Sequence, residues 1–304
     1  MRAALILAAA LVGLGAGCAQ PPAARGGIVS VNPCADALLV RLVAPDRIAA
    51  ISHYSQQPGA TSIPLGLADR FRATAGTAEE VIALRPSLVL ASSFTAPATR
   101  GAYAQAGLRV VYLNSPTTVA ASVAQVREVA AAVGERSRGE ALAREIAMSF
   151  SPPPLPRRRA GPSCDERNRE AQTSATECIA AGPRPSPGKN EEATRQPAAL
   201  LLIAGDLATG SDTLLDELLR RAGFRNAAAD YGLRYTGRVP VERLAAHPPA
   251  VVIAPSGSGR GAALRRRLLP EVPEAVFPRA LINCGGPAIP PALARLRAIR
   301  ASLP

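Results

Sequence analysis

The chain has 304 residues, of which 48% are hydrophobic and 3% aromatic, with no Trp. This is a globular composition with room for two domains of about 100–150 residues each, and it excludes a collagen-like, coiled-coil or wholly disordered chain. The net charge of +12 is carried by arginine, Lys189 being the one lysine; these arginines are scattered and not interleaved with aromatics, so they do not read as a nucleic-acid surface, though they favour long-range attraction of anionic ligands.

The chain opens with Arg2 and the apolar stretch Ala3 to Ala16. About 14 residues are too few for a comfortable membrane span and have the texture of a secretory signal peptide. Gly15-Ala16-Gly17-Cys18 further reads as a lipobox with Gly15 where Leu is usual, so Cys18 is the expected acylation site. Cleavage without acylation is the alternative.

Short apolar runs then alternate with helix-period segments. Ile28 to Val31 reads as a strand, residues 35–42 as a helix and 47–52 as a second strand. Helices are expected over 77–84 and 99–107, each running into a strand, at 88–91 and 110–112. Residues 122–133 and 138–150 favour helix, with Gly134 ending the first. Residues 151–197 change character, with many prolines, Arg157-Arg158-Arg159 and few large apolar side chains, and read as a disordered insertion. Order resumes with a strand at 199–204, helices at 213–222 and 239–246, and a strand at 251–254; Leu281-Ile282-Asn283 reads as a last strand and 291–302 as a closing helix. Such alternation is the pattern of an α/β fold with largely parallel sheets, whose ligands sit at the C-terminal strand ends.

A gapless repeat links the two halves: Glu79 to Ala91 aligns on Glu242 to Ala254. In each copy an acidic residue opens a short helix, a Pro ends it and an apolar strand follows. If Cys18 is acylated, four cysteines remain in three possible connectivities; the preferred one pairs Cys164 with Cys178 and Cys34 with Cys284, with free buried thiols as the alternative. Two histidines leave little for a His-built metal site, and no Gly-x-Ser-x-Gly elbow, His-Glu-x-x-His pair or spaced Cys/His cluster points to an enzyme. The glycine-rich turn Gly257 to Gly261 offers backbone N–H groups to an anion but is neither a P-loop nor a dinucleotide fingerprint.

Five motifs occur in order: Asn32-Pro33-Cys34-Ala35-Asp36, Ser52-His53-Tyr54-Ser55, the segment Thr77 to Pro86, Gly223-Phe224-Arg225-Asn226, and Asn283-Cys284-Gly285-Gly286-Pro287. With these the chain resembles the periplasmic substrate-binding proteins of ABC importers for iron-siderophores, haem and cobalamin, over residues 27–150 and 198–304. The resemblance implies two similar Rossmann-like α/β lobes joined by a linking helix, with a ligand cleft between them, as in class III solute-binding proteins. The lobes would be residues 27–136 and 198–304, and residues 137–150 the start of the linking helix, which the prolines from Pro152 end early.

It also implies a periplasmic binding role without catalysis: capture of a corrinoid or iron chelate and delivery to an ABC permease. No resident cofactor is expected; iron or cobalt would arrive within the ligand, and a lipid anchor would be the one membrane attachment. Expected ligand contacts are Tyr54, by aromatic packing on a planar macrocycle, His53, which could coordinate iron or cobalt, Asn32, Ser92 and Phe94 in the first lobe, with Arg100 facing an anionic group. Tyr235 and Arg238 would form the opposite wall. Glu79 and Glu242, one acid per lobe, would dock on arginines of the permease. A Cys34–Cys284 bridge would staple the chain ends if the closing segment returns to the first lobe. Other classes remain as alternatives: an exported α/β enzyme, a non-transporting interaction protein with the same fold, or a zinc or manganese binder, for which the chain lacks His and carboxylate ligands.

Overall fold

The computed structural model describes residues 26–151 and 196–303. The leader with Cys18, the cysteines Cys164 and Cys178, and residues 152–195 of the expected insertion lie outside the described residues.

The first lobe runs β1 (Ile28–Ser30), α1 (Pro33–Leu42), β2 (Ile48–Ser52), α2 (Leu65–Ala68), β3 (Ala73–Thr74), α3 (Ala78–Ala83), β4 (Leu88–Ser92), α4 (Pro97–Gln105) and β5 (Val110–Leu113). Its five strands are all parallel in the order β3-β2-β1-β4-β5. Strand order reverses between β1 and β4, which opens a crevice beyond their C-terminal ends. Helices α5 (Val119–Ala132) and α6 (Arg136–Ser149) follow, separated by Gly134 at φ +78°, a left-handed turn that suits glycine.

The second lobe contains β6 (Ala198–Ala204), β7 (Leu207–Ala208), α7 (Leu214–Arg221), β8 (Arg225–Asn226), β9 (Gly237–Arg238), α8 (Val241–Ala246), β10 (Val251–Ala254), α9 (Arg260–Leu268) and β11 (Glu274–Val276), and α10 (Ile289–Ala301) closes the chain. Its sheet has the order β11-β10-β6-β7-β9, with β8 also on β6; β6, β8, β10 and β11 are parallel, and β7 runs antiparallel to both neighbours. The repeat read from the sequence is a structural repeat: α3 and α8 have the same bounds at an offset of 163 residues, with Glu79 and Glu242 each the second helical residue. The expected strand at Leu281-Ile282-Asn283 is corrected: a 3-10 turn at Arg279–Leu281 stands there, and β11 and α9 are elements that the sequence pattern did not single out. Pro278 immediately precedes the turn and interrupts pairing at that point.

Period-two alternation places the core. In β4, Leu88 and Leu90 face one apolar cluster while Val89 and Ala91 face another; β6 does the same with Leu201 and Leu200, and β10 with Ile253 and Val252. The inner cluster is common to both lobes, joining Leu39 and Leu42 of α1, Val126 of α5 and Ile146 of α6 to Leu219 of α7 and Leu293 and Leu296 of α10. Rigidity between the lobes therefore comes from a shared helical layer, and the expected single linking helix is only one member of it. Polar contacts tie the same layer: the Val119 N–H donates to Glu217 at 2.7 Å, and Arg297 to the Ser149 carbonyl at 2.8 Å. Among the described residues, no helix is long and apolar enough to cross a membrane.

Candidate ligand cleft

The C-terminal strand ends of both lobes meet across a cleft that holds two cavities. One, of about 280 Å³, is lined from the first lobe by Asn32, Asn114 and Gln125 and from the second by Thr209, Thr213 and Thr236. Its lining is neutral and rich in hydroxyl and amide groups. The other, of about 410 Å³, is lined by Pro58 from the first lobe and by Gly205, Ser256, Arg265 and Arg279 from the second. Arg265 is neutralised by Glu274 at 2.7 Å, whereas Arg279 makes no ion pair among the described residues and gives this end of the cleft its positive character. Both volumes lie within or near the range that small-molecule sites occupy.

Cys34 and Cys284 are bridged, with Cα atoms 5.2 Å apart across a sequence separation of 250, and both line the smaller cavity. The segment that carries Cys284 returns to the first lobe because two glycines permit a close approach. A Cβ on Gly285 would fall on the Ser122 hydroxyl, and Gly286, at φ +57°, would set one 3.0 Å from Leu38; the Gly286 N–H donates to that hydroxyl at 2.7 Å. Asn283 reaches the Ala60 carbonyl at 3.3 Å.

Asn32 caps α1, its side-chain oxygen accepting from the Cys34 N–H at 2.8 Å, and lines the smaller cavity. His53 and Tyr54 occupy a 3-10 turn after β2, their ring centroids 4.0 Å apart; His53 Nδ1 lies 3.2 Å from the Thr74 carbonyl, and Tyr54 is 49% exposed. Ser92 ends β4, its hydroxyl accepting from the Phe94 N–H at 3.1 Å, and Phe94 is 81% exposed. Tyr235, 66% exposed, directly precedes the cavity residue Thr236.

Two arginines have other employment than expected. Arg100 donates to the Thr95 carbonyl at 3.0 Å and to that of Ser93, with its guanidinium 4.1 Å from the Tyr112 ring centre, so it braces the loop that carries Phe94. Arg238 is paired with both oxygens of Asp206, at 3.0 and 2.9 Å, on the exposed edge strand. The charge of Arg238 is thereby neutralised, whereas Arg100 keeps its charge and spends its donors on the loop. Glu79, Glu80 and Glu242 are all exposed; Glu80 folds back on the preceding loop, accepting from the Thr74 hydroxyl and the Ala75 N–H at 2.8 and 2.7 Å.

Sequence reasoning passed over Arg279, Thr209, Thr213 and Gln125. Arg279 was hidden in what read as the approach to a strand, and the threonines surround the cap of α7, a local role that any helix start would account for. Among the described residues no group of three or more His, Cys, Asp or Glu could hold a metal ion, although a metal within a chelate needs no such cluster.

Residues 28–151 match the periplasmic binding protein family, so the first lobe and the helices behind it carry the signature that the motifs imply. No curated protein matches the chain. The fold is that of solved periplasmic binding proteins with two α/β lobes, the class III architecture. A periplasmic haem-binding protein of Pseudomonas aeruginosa aligns at 22% identity and TM-score 0.63, over 92% of this chain and 94% of that one. The periplasmic haem-binding protein HutB of Vibrio cholerae aligns at 16% identity and TM-score 0.64, over 91% and 99%. The periplasmic vitamin B12-binding protein BtuF of the same organism aligns at 16% identity and TM-score 0.59, over 91% and 96%.

Proposed function

We propose that this chain is the solute-binding component of an ABC importer and captures a large, flat metal chelate, a corrinoid, haem or another iron chelate, between its lobes. The observation that carries this reading is where the aromatics are. Of the ten Tyr and Phe residues, the three that are exposed are Tyr54 and Phe94, on the loops after β2 and β4, and Tyr235, next to the cavity residue Thr236, while the others are buried or half-buried. Leaving three large apolar rings in water is unfavourable unless a ligand covers them, and ring faces suit a macrocycle. The likeness in fold to haem- and B12-binding proteins supports the same reading.

Asn32 and the neutral cavity supply hydrogen bonds to polar ligand substituents, and Arg279 supplies a positive charge at the other end of the cleft. A preformed cleft on a shared core spends little free energy on ordering when it binds. Release is then governed by docking, for which the matched positions of Glu79 and Glu242 offer one exposed carboxylate per lobe. The chain works in the periplasm, held there by acylation of Cys18. A thermal-shift panel of hemin, cyanocobalamin and ferric hydroxamates tests the reading: a ligand of the folded form raises the melting temperature by mass action. No rise with any of them, well above micromolar concentration, removes it in favour of a non-transporting interaction protein.

A further inference from the structure

The first lobe buries a carboxyl group that the binding reading leaves without a role. Asp36, in α1, is 0% exposed. Its Oδ2 accepts from the Ser52 N–H at 3.0 Å and from the Ser55 hydroxyl at 2.7 Å, the two residues that flank His53 and Tyr54. Among the described residues its Oδ1 is buried without a hydrogen-bond partner, although the Ser30 hydroxyl is close enough to favour the charged form. A buried carboxylate oxygen without a donor is costly, and native proteins retain such a group where it serves a purpose beyond stability.

We propose that Asp36 is a positioning residue for the ligand-facing turn, its buried carboxyl setting where the Tyr54 and His53 rings stand at the cleft according to whether it carries a proton. The consequence for ligand affinity rests on the cleft reading above; the positioning itself does not.

The geometry gives the proton a direct route to the turn. The ionised group accepts both the Ser52 N–H and the Ser55 hydroxyl at Oδ2; the protonated group is a weaker acceptor and itself a donor, so its hold on the turn changes. Burial raises the Asp36 pKa to about 7, against the lowering effect of Ser30, Ser55 and Ser52. Among the described residues, the elements packed around it bring no compensating cation to the carboxyl. Arg138 of α6 donates to the Leu42 carbonyl, and Glu145 pairs with Arg41, both at the far end of α1, while Arg127 of α5 pairs with Glu140. The first turn of α1 carries the Cys34 bridge, and the turn after β2 carries His53 and Tyr54 as its titratable groups.

The chain has no Trp, so Tyr54→Trp places a single reporter on the turn. In the full chain with that substitution, the emission maximum is expected to shift between pH 5 and 9 with a midpoint near the Asp36 value of about 7. Adding Asp36→Asn abolishes the shift, and adding His53→Gln leaves it in place. Ser55→Ala removes a donor that favours the ionised form and moves the midpoint upward, which keeps the test open if Asp36→Asn does not fold. A flat emission profile, a shift that survives Asp36→Asn or is lost with His53→Gln, or a midpoint that Ser55→Ala leaves unmoved overturns the proposal. The readout needs no ligand, so it succeeds or fails separately from the capture of a chelate.

Discussion

Each lobe fixes its cleft-side loops through one buried polar hub, and the two hubs differ in charge. In the first lobe Asp36 receives only neutral donors from the turn after β2. In the second, Asn226 is 4% exposed and donates to the Thr209 and Gly210 carbonyls, each at 3.3 Å, and to Asp216 at 3.1 Å, and that carboxylate is in turn paired with Arg220 at 2.9 Å. The Asn226 amide does not ionise, so it holds the Thr209 wall in the same way at any pH. A lone buried carboxyl does not, because burial disfavours its charged form. One wall of the cleft is thus fixed and the other responds to protons.

The largest expected effect concerns the bond that joins the two regions. Because the Cys34–Cys284 bridge closes a loop of 250 residues, its removal frees the unfolded chain most; Cys34→Ser with Cys284→Ser is expected to cost about 2–5 kcal/mol in urea or thermal unfolding. Unchanged stability would mean that the shared core alone holds the halves together.

A smaller effect separates the hubs directly. The native Asp36 pKa of about 7 lies above the unfolded value of roughly 3.9, so the native state holds the extra proton between them. The stability this group contributes is complete in acid below the unfolded value and is lost as pH rises through 7. Melting temperatures of the wild type should therefore fall from pH 5 to pH 8 more steeply than those of Asp36→Asn. Asn226→Ala, which disturbs the second hub without removing a titratable group, should keep the wild-type slope; a reversal of the two variants would contradict the comparison.

The smallest effect on stability is expected where the lobes agree. Glu79 and Glu242 occupy the same position in a repeated helix and are exposed, so Glu79→Ala and Glu242→Ala should leave melting unchanged while each reduces uptake by cells that carry the importer. Loss of uptake from one and not the other would show that docking is not shared between the lobes.

Much of this fold was legible in the sequence because its signals are local. Short continuous apolar runs gave β1, β4, β6 and β10, glycine marked the ends of α5 and α7, and the repeat of residues 79–91 at 242–254 anticipated two helices with matching bounds. The cleft was legible only as loops after strands. Whether an arginine there is free depends on partners that pattern cannot supply: Asp206 for Arg238, and two loop carbonyls for Arg100. The burial of Asp36 was hidden for the same reason. An acid in the first turn of a helix ordinarily faces water, and only the turn from β2 closing over it makes it a hub.

The measurement closest to the central claim is a titration of the purified protein with hemin and with cyanocobalamin, followed by absorption and calorimetry, in the wild type and in Tyr54→Ala and Phe94→Ala. The account predicts saturable binding of at least one chelate at one site, weakened about tenfold by either substitution, as expected when one aromatic contact worth about 1 kcal/mol and its buried area are lost. Absence of saturable binding, or an affinity indifferent to both aromatic side chains, would contradict it.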